Sequence, residues 1–139
     1  MDIKQTEKYI ETISLENNLD LVMTFICKHI AGDRCQVTIE AAIEVEVKDE
    51  YFNKKELSDL STDYVKSLLG NTTSFTYSKV RNFIAEDKKE NLFEELKQQF
   101  MDSSLNYISS DLFPVRLIKR NFMIAQKEDM IRQKREALQ

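Results

Sequence analysis

Residues 35–48 read CQVTIEAAIEVEVK, and their alternation decides the fold class. Val37, Ile39, Ala41, Ile43, Val45 and Val47 share one parity, while Thr38, Glu40, Glu44, Glu46 and Lys48 share the other. A period of two over this length predicts a long β-strand with one buried and one acidic, solvated face. The segment before it, LDLVMTFICKHIA at 19–31, is apolar at both parities and by itself also fits a buried helix. Gly32-Asp33 then supplies a turn, and the pair of segments reads as a hairpin of two strands.

Outward from this hairpin the remaining elements follow by period. TISLENN at 12–18 reads as a short edge strand ending in an Asn-Asn turn, and residues 1–12 as a short helix or the lead into that strand. KKELSDLSTDYVKSLL at 54–69 has helical spacing through Leu57, Leu60, Tyr64, Val65 and Leu68, with Gly70 as its stop. TTSFTYSKVRNF at 72–83 returns to strand chemistry, with Phe75, Tyr77, Lys79 and Arg81 on one side and Val80 on the other. Phe93, Leu96, Phe100, Tyr107 and Ile108 then mark a long helix, with Asp87 as N-cap, Glu90 three residues on, and an end near Asp111. FPVRLIKRNF at 113–122 reads as a connector between helices, because Pro114 disfavours helix in the residue before it. The charged stretch from Met123 onward reads as a final helix that frays at its far end. The expected architecture is α+β: about four antiparallel strands, an inserted helix, a long helix packed on the sheet and a final charged helix. Residues 1–139 form one domain in this reading, with 123–139 as a charged helical tail.

Composition narrows the function classes. A hydrophobic fraction of 42% with 32% charged residues is that of a folded chain rather than a disordered one. Two glycines in 139 residues leave no material for a phosphate-cradling loop. The net charge of −4 divides into −8 over residues 1–114 and +4 over 115–139. The acidic body argues against general nucleic-acid binding, leaving only a weak case for the basic tail through Arg116, Lys119 and Arg120. The first fifteen residues alternate charged and apolar types, unlike a signal peptide, and no run approaches the ~20 apolar residues of a membrane helix, so a cytoplasmic location is expected.

Candidate chemistry is sparse. Cys27 and Cys35 with the single histidine His29 fall short of the four ligands of a structural zinc site, so no metal and no cofactor is expected. The two cysteines read as reduced core thiols, with a hairpin disulfide as the alternative. A Cys27/His29 dyad lacks an oxyanion hole and an orienting group. Glu44 and Glu46 stand about 7 Å apart along one strand face, which suits docking of a basic partner better than a catalytic carboxylate pair, whose members come from separate elements. No catalytic residue is assigned, and the chain is read as a non-enzyme.

The element order, together with ISLEN at 13–17, LDLVMTF at 19–25, QVTIEAAIEVEV at 36–47 and LFPVRLIKRNF at 112–122, resembles the SecB-like export chaperones. In that family a Phe-Pro…Asn-Phe connector lies between two helices, and Phe113-Pro114 and Asn121-Phe122 stand in that order here. The inserted helix at 54–69 is foreign to the pattern, and the connector is basic rather than proline-rich. The resemblance implies an oligomeric holdase for unfolded polypeptide clients. Leu112, Phe113, Val115, Leu117 and Phe122 would line the client groove, and Glu44 and Glu46 would meet a basic protein partner. The second reading is a phage or mobile-element accessory protein that binds and modulates one host protein complex.

Overall fold

In the computed structural model, residues 6–138 are described. Four strands form one antiparallel sheet in the order β1-β2-β3-β4: β1 Thr6–Ser14, β2 Asp20–Ala31, β3 Arg34–Glu46 and β4 Thr72–Ala85. Thus β1 and β4 are the two edges. Residues 6–12, left open between helix and strand lead, belong to β1. The quoted alternation becomes β3, whose Cys35, Val37, Ile39, Ala41, Ile43 and Val45 are all buried. The 19–31 segment is its partner β2, with Phe25 opposite Ile39 and Leu21 opposite Ile43. Gly32, at φ +56°, makes the turn between them.

Three helices complete the chain: α1 Thr62–Leu69, α2 Lys89–Ile108 and α3 Phe113–Ala137. No helix among the described residues is long and apolar enough to cross a membrane. Contacts gather the described residues into two compact units, one running to Ile43 and joined by Phe75–Ser110, the other Glu44–Ser74 joined by the stretch from Asp111 onward.

In the first unit, α2 lies on the buried face of the sheet. Phe93 meets Phe25 edge-on with ring centroids 5.1 Å apart, and Phe100 meets Tyr77 at 4.8 Å. About two turns apart along α2, Lys89 and Lys97 donate to Glu7 and Glu11 of β1, at 2.5 and 2.8 Å. Asn17, in the β1–β2 turn, donates from Nδ2 to the carbonyls of Ile108 and Ser110 at 2.9 and 2.8 Å. Those carbonyls lie at the helix end, where backbone acceptors lack intrahelical partners, so the clip satisfies what the helix leaves open. The expected N-cap at Asp87 is not the cap. Asp87 falls in a 3-10 turn, Glu86–Lys88, and Lys88 precedes the helix without a side-chain hydrogen bond.

In the second unit the expected 54–69 helix is shorter. Two 3-10 turns, Asp49–Asn53 and Lys55–Leu57, precede α1, whose first turn is capped by Ser61 Oγ accepting from Tyr64 N–H at 3.3 Å. The 113–122 stretch is not an irregular connector; it is the first half of α3. The preceding helix already stops at Ile108, short of the expected Asp111, and Pro114 lies in the first turn of α3, where a proline forfeits no intrahelical hydrogen bond. Phe113, Val115, Leu117, Ile118 and Phe122 are all buried, while Arg116, Lys119 and Arg120 face solvent. Phe122 packs edge-on against Tyr64 of α1 at 5.5 Å. Beside it, Asn121 donates from Nδ2 to Thr73 Oγ1 and to the Ser74 carbonyl at 2.7 and 3.1 Å.

Candidate functional site

The residues proposed from sequence fall into two groups. Glu44 and Glu46 project from β3 into solvent, with no ion-pair partner among the described residues. Of the proposed groove wall, Leu112 is half-buried, and Phe113, Val115, Leu117 and Phe122 are at most 2% exposed. Those four side chains are the core of the second unit and present no surface to a client. Their apolar character is explained by the helical face they form together with Ile118, at positions 113, 115, 117, 118 and 122. That spacing was visible in the sequence but was outweighed by the proline.

The accessible surface that could hold another chain lies in the first unit. Eight of the nine residues of β1 are exposed and none is buried, in a strand that forms one edge of the sheet. Among the described residues no strand pairs with its outer side, which is the template onto which a further strand can add. The face of the sheet away from α2 is lined by Val22, Thr24, Ile26, Thr38, Glu40 and Ala42, all exposed or half-buried. On β1, Ile10 is 64% exposed.

A second accessible feature lies on β4. Phe83 has φ +57°, a left-handed conformation disfavoured for a bulky side chain, and the residue is 68% exposed. Such a conformation costs on the order of 1–3 kcal/mol. Phe83 borders a cleft of about 320 Å³ that also touches Arg34, Ile84, Lys88, Leu92 and Glu95. Nothing in its one-dimensional pattern distinguished this phenylalanine from its neighbours.

No family model, no curated protein and no solved structure matches this chain.

The cysteines are free and buried, which answers the pairing question for this structure. Cys35 Sγ donates to the Ile84 carbonyl at 3.5 Å. Burial, reinforced by a hydrogen bond with Cys35, pushes the Cys27 thiol up to about 12. A nucleophilic cysteine needs the opposite, a thiolate near neutral pH. His29 lies near the exposed end of β2, opposite Cys35 in register. Among the described residues no group of three or more His, Cys, Asp or Glu side chains is arranged to hold a metal ion.

Proposed function

We propose that this chain is a non-enzymatic polypeptide-binding protein that holds an extended partner segment along the open β1 edge, as a SecB-like holdase would hold an unfolded client. The observation that carries the reading is β1 itself, a nine-residue edge strand with no buried residue. Natural sheets usually shorten, cover, bulge or charge such an edge; β1 keeps its nine-residue length and exposes Tyr9 and Ile10 among its charges, and a binding partner is a direct reason for that. The test is suppression of aggregation of a chemically unfolded client, followed by light scattering, with solution mass measured in parallel. The wild-type chain slows aggregation near equimolar ratio. Ile10→Lys, which places a charge on the edge at an exposed position, weakens that effect and leaves the melting temperature unchanged. A folded wild-type chain without effect on any unfolded client refutes the holdase reading.

Phe83 favours a second reading, an accessory protein that docks on one partner complex. A strained, exposed aromatic side chain suits one defined complementary surface better than many unrelated clients. Under this reading a pull-down returns one stoichiometric partner, and Phe83→Ser releases it.

A further inference from the structure

Beside the β1 edge, one cavity of the first unit combines aromatic rings with carboxylates. It has a volume of about 230 Å³ and is lined by Tyr9 of β1, Phe25 of β2, and Glu90, Phe93 and Glu94 of α2. Phe25 and Phe93 are buried, whereas Tyr9 is 53% exposed and both glutamates are exposed. The cations that border this side of α2 are already engaged: Lys89 by Glu7 and Lys97 by Glu11. Glu90 and Glu94 have no ion-pair or hydrogen-bond partner among the described residues. Glu90 has an ordinary structural reason for its position, since a carboxylate in the first turn complements the helix dipole. Glu94, a turn further on, has no such reason.

We propose that this cavity is a subsite for one cationic side chain, arginine or lysine, of an extended segment added to the β1 edge. The proposal rests on the edge-docking reading above and names the chemistry of the partner. Residues on a strand alternate between faces, so a segment paired along β1 turns every second side chain to the face that carries Tyr9. A side chain there meets three aromatic rings and two carboxylates. Rings attract a cation through their quadrupole, and arginine also stacks flat on them. The carboxylates supply the counter-charge and acceptors for charge-assisted hydrogen bonds. An acidic side chain at that place is repelled, and a small apolar one leaves the carboxylates unmatched.

The probe is a capped, fluorescein-labelled nine-residue peptide of alternating threonine and valine with one central arginine, alongside matched peptides carrying lysine, alanine or glutamate at the centre. Fluorescence anisotropy with the full chain reads the affinities. The arginine and lysine peptides bind at least about tenfold more tightly than the alanine peptide, and the glutamate peptide binds most weakly. Glu90→Gln combined with Glu94→Gln collapses that preference while retaining the affinity for the alanine peptide and the wild-type melting temperature. Added salt weakens the arginine peptide selectively. Equal affinity of all four peptides for the wild-type chain overturns the cation subsite and leaves edge docking standing. Failure of every peptide to bind overturns both.

Discussion

Replacing Phe122 by alanine separates the two roles that its setting suggested. The side chain is 2% exposed and packs edge-on on Tyr64, in a core shared with Phe113, Leu117 and Ile118. Truncating a buried phenylalanine loses its transfer free energy and opens a cavity, together about 3–5 kcal/mol. For a chain of this size each kcal/mol lowers a cooperative melting temperature by about 3–5 °C, so the expected fall is about 10–20 °C. Urea titration and thermal circular dichroism measure it directly. The pair with Tyr64 contributes a coupling of about 0.5–1.5 kcal/mol, read from Phe122→Ala, Tyr64→Ala and the double variant. Arg116→Gln, on the solvated side of the same helix, changes stability by less than about 0.5 kcal/mol. A Phe122→Ala chain that melts within about 2 °C of wild type but no longer holds clients refutes the core assignment and restores the groove.

Other perturbations read other parts of the structure. Gly70 ends α1 at φ +81° and ψ −162° with open space around its Cα, so Gly70→Ala costs about 1–3 kcal/mol of purely conformational strain, seen as a lower urea midpoint. Phe83→Gly removes left-handed strain and raises the melting temperature by a few degrees, and an unchanged or lower value contradicts the strain assignment. The buried Cys27 keeps its proton to about pH 12, whereas the unfolded thiol ionises near 9.0. The unfolded state therefore binds fewer protons in that window, and stability falls as pH rises through it. Lys89, raised by its hydrogen bond to Glu7, acts in the same direction, because its contribution is complete below its unfolded pKa and is lost as pH climbs through the folded one. Cys27→Ala shallows the alkaline decline in the urea midpoint, and an equally steep decline in that variant argues against the buried thiol.

The hairpin of β2 and β3 was legible because period-two alternation in β3 fixes which side chains are buried, and a buried face fixes register. The helix on the sheet was legible for the same reason, through Phe93, Leu96 and Phe100 at helical spacing, all buried. What misled was Pro114, whose effect is asymmetric: it restricts the residue before it, yet it is well suited to the first turn that follows. Reading only the first half of that rule turned a buried helical face into a connector, and the family resemblance then made that connector the wall of a groove. Asp87 misled similarly, because its capping chemistry is local while the start of α2 is placed by contacts with β1, which lies some eighty positions earlier. The Tyr9 cleft was invisible in sequence, since its lining comes from β1, β2 and α2, and only the folded sheet brings them together.

The Asn17 clip also has a kinetic consequence. Its two acceptors lie 91 and 93 positions away, so the bond closes only after the chain has folded back over most of its length. Loop-closure entropy makes such a contact late. Asn17→Ala should therefore leave the refolding rate nearly unchanged and speed unfolding, the behaviour of a side chain whose interactions are absent from the transition state. One amide would then act as a latch, setting how long the folded molecule lasts rather than how quickly it forms.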